Sequence, residues 1–241
     1  MPDSLLYSSC YLHREDFNIE LAYLNFCERI GTIRTACYDK VIKLEELRIV
    51  FTTKTNFRYD LFKDYKANRA KYATEESIEL SKHTKQLKRL IYDRLRPICE
   101  ASNIFEADDI VVRYSAKGWM VASIDKDVIN ASLTPCFNFK TGKWITASTQ
   151  EEIDRWYLIQ SIAGDTSDGI SGCKGYGMVK ATKFVDELLL GNKTYEDYVN
   201  LFDTNEHCLL TNNLVRMNQW DDRGNLKLLI MEELLEGITG F

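Results

Sequence analysis

Residues 155–177 read RWYLIQSIAGDTSDGISGCKGYG. A helix-like apolar run passes into GDTSDGISGCKGYG (164–177), which holds five glycines and three charged residues in fourteen positions, with no proline. Asp165 and Asp168 stand three apart, and Gly172, Gly175 and Gly177 lead into a second helix-like run, MVKATKFVDELLL (178–190). A plain surface loop is one reading. The other is a site with two faces. Its carboxylates would hold metal ions, while its glycines allow positive φ and bring backbone N–H groups close to an anion. A helix–glycine turn–helix unit of this kind grips a phosphate backbone without reading bases. Lys174, Lys180 and Lys183 add positive charge around it.

Outward from this stretch, TQEEIDRWYLIQSIAG (149–164) has a helix start, with Thr149 as N-cap and Glu152 at the capping-box position. Gly191 suits the residue just past the second helix. Residues 194–236 carry three short helix-like stretches, the last being LKLLIMEELLE. In the first half, helices alternate with strands. Leu21, Leu24, Cys27, Ile30, Ile33, Cys37 and Val41 fall at helical spacing within 18–42. LRIVF (47–51) reads as a short buried strand. A long helix follows over 75–96, with Lys82, Lys85, Lys88, Arg89, Arg94 and Arg96 on a basic face and Pro97 ending it. FEADDIVVRYSA (105–116) opens another helix, WMVASI (119–124) is a strand, and FNFKTGKWITA (137–147) is a hairpin turning at Thr141-Gly142. The expected class is α/β, a mostly parallel central sheet flanked by helices, followed by a helical part. The expected division is 1–148 and 149–241.

The bulk properties narrow the field. The chain has 241 residues, 45% hydrophobic and 28% charged, with a formal charge of −5. That charge argues against a blanket attraction to nucleic acid, so any such contact must rest on a local basic patch. No apolar run is long enough to span a membrane, and the N-terminal MPDSLLYSSCYLHRE lacks the pattern of a signal peptide. Seven scattered cysteines without a CxxC pair indicate reduced thiols in a cytosol-like compartment rather than a zinc site.

Carboxylates gather in three places: Glu106, Asp108 and Asp109 at a helix start, Asp125 and Asp127 after the strand WMVASI, and Asp165 with Asp168. Ligands of open parallel sheets bind beyond the carboxyl ends of strands. In an extended segment, Asp125 and Asp127 would point the same way. Brought into one cleft, these carboxylates would repel and some would protonate unless divalent cations neutralised them. Oxygen-only donors select Mg²⁺ or Mn²⁺ over zinc. Two such ions about 4 Å apart activate a water and stabilise the leaving oxygen in phosphodiester hydrolysis. Singly, each stretch also has a structural reading, as a helix-dipole partner or a polar turn. NFRYDLFKDYKANRAK (56–71) interleaves Arg58, Lys63, Lys66, Arg69 and Lys71 with Phe57, Tyr59, Phe62 and Tyr65. Cations of this kind neutralise phosphates while aromatics stack on bases. The alternative is a solvated basic loop whose phenylalanines enter the core.

Four motifs in one order, NFRYDLFKDYKANR, EADD, DKD and RWYLIQSIAGDTSDGISGCKGYG, resemble the 5′-to-3′ exonucleases and flap endonucleases, above all bacteriophage (podovirus-type) enzymes that degrade duplex DNA from 5′ ends. The resemblance covers roughly residues 3–190, and the last motif, GDxxDxxxGxxGxG, is the most specific. It implies a PIN-like 5′ nuclease fold with a helical arch at about 66–96 and a helix–three-turn–helix element at about 149–190. It implies two divalent metals on Glu106, Asp108, Asp109, Asp125, Asp127, Asp165 and Asp168. Lys66 and Arg69 would steer the scissile phosphate, and Tyr65 would stack on the terminal nucleotide. Arg58 belongs to the same strip, and Gly172, Lys174, Gly175, Gly177 and Lys180 would grip the duplex, with K⁺ at the glycine turn. The implied substrate is duplex DNA with a 5′ end or flap, extending to RNA–DNA hybrid. The implied protein is a monomer in the cytoplasm of a phage's host. Members begin with a hydrophobic strand ending in a metal-binding aspartate. Here Met1 stands at that position and Asp3 two places on, which suggests a shortened chain or a misassigned start, with an incomplete first metal site. After RIVF, Thr52-Thr53-Lys54 stands where many members carry an aspartate. The alternative reading is a structure-selective DNA-binding module whose catalysis is impaired by that missing aspartate.

Overall fold

The structure, a computed structural model, describes residues 2–40 and 45–234. In chain order its elements are α1 (Pro2–Tyr11), α2 (Ile19–Asp39), β1 (Ile49–Thr52), α3 (Phe57–Leu61), α4 (Asn68–Lys71), α5 (Glu75–Leu95), β2 (Cys99–Ser102), α6 (Ala107–Ala116), β3 (Val121–Ala122), α7 (Lys126–Asn130), β4 (Cys136–Asn138) and β5 (Lys143–Ile145). The remainder are α8 (Gln150–Ala163), β6 (Gly164–Asp165), β7 (Ile170–Ser171), α9 (Met178–Leu189), α10 (Tyr195–Val199) and α11 (Asn205–Val215). They form two compact units. One comprises 1–56 with 72–147, the other 57–71 with 148–241. The basic segment 57–71 therefore groups with the second unit, whereas the sequence division at 148/149 put it in the first.

In the first unit β1 pairs in parallel with β2, while β3 pairs in parallel with β4 and β4 antiparallel with β5. The expected continuous, mostly parallel sheet is thus found in separate pieces, with an apolar cavity of about 500 Å³ lined by Ile49 and Val50 of β1 and Val121 and Ala122 of β3. The core gathers Leu6, Phe26, Phe51, Leu87, Ile91 and Phe137. Asn18 caps α2 by accepting the N–H groups of Glu20 and Leu21. The buried face of α2 is Ala22, Phe26, Ile33 and Cys37, and Leu21 and Leu24 of the expected apolar stripe face solvent. Val41 lies outside the described residues. The hairpin turn spans four residues between Asn138 and Lys143, because the Asn138 side chain accepts from the N–H groups of Lys140 and Thr141; it is not a two-residue Thr141-Gly142 turn.

The long basic helix α5 starts on a Thr74–Ser77 capping box and buries Leu80, Leu87 and Ile91 in the core. These side chains anchor it to the first unit. Several of its cations are already engaged, Lys82 with Glu79 at 2.8 Å among them. Arg94 forms a bidentate pair with Glu20 at 2.7 and 2.8 Å, and the Lys88 ammonium donates to the Thr52 carbonyl.

The second unit is helical. α8 begins on the expected Thr149/Glu152 box, with reciprocal bonds of 2.8 and 3.2 Å. α8 and α9 are joined by the small antiparallel β6–β7 ribbon and the glycine turn, and Arg155 of α8 pairs with Asp186 of α9 at 2.6 Å. Gly191, at φ 76°, follows α9 as expected. A buried network of Ser161, Tyr198 and Asn212 ties α8, α10 and α11. Residues 226–230 are not helical, so only the end of LKLLIMEELLE enters a helix within the described residues.

Candidate active site

Five of the sequence-derived carboxylates lie in the first unit. Glu106 is the N-cap of α6, and Asp109 returns the favour: its carboxylate accepts the Glu106 N–H at 2.8 Å. Asn56, buried at the end of the segment after β1, donates its side-chain N–H to Glu106 Oε1 at 3.1 Å. The Ala107 N–H is taken by the Thr52 hydroxyl at 3.2 Å. The start of α6 is therefore fixed from three sides. Asp125 caps α7, accepting the Asp127 N–H at 2.9 Å, and the Ser123 hydroxyl accepts the Asp125 N–H. The extended DKD segment expected from sequence is instead a helix start, because an aspartate after a strand is a strong N-cap. Asp125 and Asp127 do not share a face by β alternation.

Asp108 differs from its neighbours. Its Oδ1 is buried with no hydrogen-bond partner. Its pKa is pushed up to about 8, first by burial and then by repulsion from Asp125, with Glu106 and Asp109 adding to it. A buried carboxylate oxygen without a donor, among like charges, is the arrangement that a divalent cation relieves. The donors are oxygens, which suits a hard cation. Among the described residues no three His, Cys, Asp or Glu side chains are gathered into a finished metal cage. The fit is therefore in charge and donor type: Asp108 and Asp125 are the side chains that would hold the ion. The buried thiols are poor alternatives. Burial raises Cys10 and Cys136 to about 11, and Cys173 and Cys208 to about 12.

The other two carboxylates lie in the second unit. Asp165 folds its own loop, its Oδ1 accepting the Ser167 N–H at 2.8 Å, the Ser167 hydroxyl at 2.7 Å and the Asp168 N–H at 3.3 Å. Asp168 is surrounded by donors. Arg69 reaches Oδ1 at 2.5 Å, the Tyr65 hydroxyl reaches Oδ2 at 3.0 Å, and the Lys66 ammonium lies 3.6 Å from Oδ2. The backbone joins in, with the Lys66 N–H donating to the Asp168 carbonyl at 2.8 Å. Lys66 has φ 59°, the only non-glycine residue with positive φ among those described.

Two sequence-derived DNA contacts change role here. Tyr65 is 3% exposed, packed among Ile170, Leu214 and Val215, so its ring is not available to stack on a nucleotide. Arg58, also 3% exposed, donates to the carbonyls of Leu214 and Arg216 at 2.8 and 2.6 Å, where α11 ends and its carbonyls lack helical donors. Gly172 is a packing glycine. A Cβ there would lie 2.4 Å from backbone atoms of Ile162, Ala163 and Gly164. Gly175 (φ 81°) and Gly177 open onto free space, and Lys174 and Lys180 are exposed beside them, with Lys180 donating to the Gly175 carbonyl at 3.1 Å. Sequence reading missed Asn56 and Thr52 as supports of α6. Their signal was weak, a polar residue at each end of the loop that follows a buried strand.

Comparison with known proteins leads to phage 5′ nucleases. No known family profile matches the chain. An exodeoxyribonuclease of Enterobacteria phage T3 is 31% identical over 140 residues, 54% of this chain and 43% of that protein. An exonuclease of Escherichia phage T7 is 30% identical over 140 residues with the same coverage. The chain thus spans less than half the length of these relatives. Among solved structures, T5 5′-exonuclease with bound divalent metal ions (zinc) superimposes with a TM-score of 0.63 at 17% identity, over 80% of this chain and 81% of that one. The T5 D15 flap endonuclease in a pseudo-enzyme-product complex with DNA and metal ions gives 0.60 at 17% identity, over 78% and 79%. The chain therefore has the α/β fold of the T5 5′-exonuclease.

Proposed function

We propose that this chain is a metal-dependent 5′-to-3′ exonuclease or flap endonuclease that hydrolyses DNA phosphodiesters near 5′ ends. The observation that carries the reading is Asp108, a carboxylate with a buried, unpartnered oxygen set among Asp125, Glu106 and Asp109. The likeness to phage exonucleases supports the reaction class.

Asp108 and Asp125 would hold a divalent cation, Mg²⁺ or Mn²⁺. Bound there, it would supply an activated water and stabilisation of the leaving oxygen. Asn56 and Thr52 keep the α6 start, and with it Asp108, in place. Lys66 and Arg69 bind the phosphate, and Asp165 and Asp168, on the same unit as these cations, are proposed as further metal ligands. The α8–α9 element, proposed as a helix–three-turn–helix, holds the duplex backbone through the exposed backbone at Gly175 and Gly177 and the charges of Lys174 and Lys180, with a K⁺ ion at the turn. The first unit is the catalytic part, the second the duplex-binding part. We further propose duplexes with 5′ ends or flaps as substrates, RNA–DNA hybrid among them, and a monomer acting in the cytoplasm of a phage's host. Among the described residues no helix is long and apolar enough to cross a membrane.

The test is direct. A 5′-labelled duplex and a flap substrate are incubated with Mg²⁺, with Mn²⁺ and with EDTA. Release of short 5′ products only with metal is expected. Retained duplex binding with no metal-dependent cleavage would instead assign the chain as a structure-selective DNA-binding module, a reading favoured by the pairing of Asp168 with Lys66 and Arg69.

A further inference from the structure

Of the six cations that the sequence puts on the basic face of α5, five are exposed and one, Lys88, is not. Lys88 adjoins Leu87 and stands three residues before Ile91, both fully buried in the core, so its stem runs inward. Its ammonium reaches two consecutive residues of β1. It lies 5.3 Å from the centre of the buried Phe51 ring and donates to the Thr52 carbonyl. Thr52 is the last residue of β1, and its hydroxyl accepts the N–H of Ala107, the first residue of α6, at 3.2 Å. Thr53 ties the same corner to β2, its hydroxyl donating to the Ser102 carbonyl at 2.6 Å. Ser102 ends β2, and its hydroxyl accepts the N–H groups of Ile104 and Phe105 at 3.0 and 3.1 Å, turning the chain toward α6. Asp108 follows Ala107 directly. An N–H in the first turn of a helix has no intrahelical acceptor, so the Thr52 hydroxyl sets the position of Ala107, and Lys88 sets that of Thr52. Ordering a lysine costs side-chain entropy, which the exposed cations of this helix do not lose to the same extent.

We propose that Lys88 is a positioning residue of the candidate active site, fixing the end of β1 and, through Thr52 and Ala107, the place of Asp108. The inference rests on the nuclease reading above and adds a residue to that same site. It gives one cation of the basic helix a task other than holding DNA: it aims a carboxylate. Removing the ammonium loosens the corner where β1 ends and α6 begins, and leaves the phosphate-binding cations of the second unit untouched.

Three variants of the full chain test this. Lys88→Met keeps the apolar stem and removes the ammonium, Lys88→Arg keeps a donating cation, and Lys140→Met, at an exposed hairpin residue, matches the lost charge. In the first arm, amide hydrogen exchange read by NMR in EDTA is expected to be several-fold faster at Ala107 in Lys88→Met, and unchanged in Lys88→Arg and Lys140→Met. In the second arm, Mn²⁺ titration followed by electron paramagnetic resonance should show Lys88→Met binding about ten-fold more weakly, with kcat lowered by a similar factor and KM for a labelled duplex unchanged. Loss of a nearby positive charge alone would act in the opposite sense and tighten Mn²⁺ binding. An unchanged exchange rate at Ala107, unchanged or tighter Mn²⁺ binding, or a raised KM with a shallower salt dependence overturns the proposal; the last would make Lys88 a phosphate ligand. Should Lys88→Met fail to fold, Lys88→Gln, one bond shorter than lysine, takes its place in the same measurements. If the wild type cleaves duplex with Mn²⁺, only this inference falls. If the wild type neither cleaves nor binds Mn²⁺ more tightly than Asp108→Asn, the nuclease reading falls, whatever the exchange at Ala107.

Discussion

Asp108, in the first unit, and Asp168, in the second, are the same partly buried side chain in opposite electrical surroundings. Asp108 has a buried oxygen with no donor, and burial, followed by repulsion from Asp125, Glu106 and Asp109, drives its pKa up to about 8. Asp168 has a guanidinium, an ammonium and a phenol within reach, and both of its oxygens are engaged. Sequence alone treats them alike, as acidic residues near element ends. Their surroundings assign them different tasks. One has a buried oxygen without a donor and calls for an added cation. The other already has cations of its own, which must be moved before it can take another.

The largest expected difference between them is in catalysis. Asp108→Asn removes the carboxylate best suited to the ion and should lower metal-dependent cleavage by at least about a hundred-fold, in the range seen when a key electrostatic group is lost. Steady-state cleavage of a labelled duplex with saturating Mg²⁺ or Mn²⁺ measures this. Duplex binding should hardly change, since no phosphate-binding group is touched. An Asp108→Asn protein that cuts like the wild type would remove the basis for placing a cation there.

The Asp168 loop also depends on backbone fit in a way that the Asp108 corner does not. Gly172 lies against the end of α8, and Gly172→Ala should cost about 3 kcal/mol or more, because backbone rather than a mobile side chain stands in the way. Thermal melting should show this as a large drop in midpoint. Gly175→Val meets open space at φ 81° and should cost only about 1–2 kcal/mol of conformational strain, yet weaken duplex binding several-fold at every sequence tested. If the two variants lost stability equally, the division of this segment into a packing glycine and a binding glycine would fail.

Metal-free stability separates the two aspartates by sign. Asp108→Asn removes a charge that burial and its neighbours penalise, so the midpoint should rise in EDTA, corresponding to about 1–3 kcal/mol. Asp168→Asn takes a partner from Lys66, Arg69 and Tyr65, so the midpoint should fall, by about 1 kcal/mol since Arg69 is largely solvated. Added Mn²⁺ should stabilise the wild type, as any ligand of the folded state does, and do so less for Asp108→Asn. Shifts of the same sign in EDTA would dissolve the contrast.

How much of this was legible in the sequence depends on what kind of fact each feature is. The helix starts at Thr149 and Glu106 were readable, because capping is local and uses a fixed spacing. The same local rule was overlooked at Asp125, where the extended reading of DKD lost to an N-cap. The strand Ile49–Thr52 was readable from its β-branched run, whereas WMVASI yielded only Val121–Ala122, since pairing depends on a distant partner. The α2 stripe misled because Leu21 and Leu24 share the helical period but not the buried face, a choice made by tertiary packing. Arg58 and Tyr65 looked like surface groups of a basic, aromatic strip. Only the return of the chain at 168 and at 214–216 could bury them, and no spacing within 56–71 encodes that return.

The smallest expected effect is the most selective probe of the Asp168 side of the contrast. Tyr65→Phe deletes one hydroxyl and leaves the ring among Ile170, Leu214 and Val215, so packing is retained and the cost should be about 0.5 kcal/mol, the low end for a single hydrogen bond, since Asp168 keeps Arg69 and Lys66. If the phenol only adds stability, metal affinity will follow the wild type. If it orients Asp168 Oδ2, the carboxylate will be freer to turn, and Mn²⁺ affinity of the DNA-free protein should change with the ring still buried. Because Tyr65 sits beneath Lys66, whose ammonium lies 4.7 Å from the ring centre, the substitution also keeps the cation–π contact. Any change in metal binding can then be traced to the lost hydroxyl and not to displacement of the lysine.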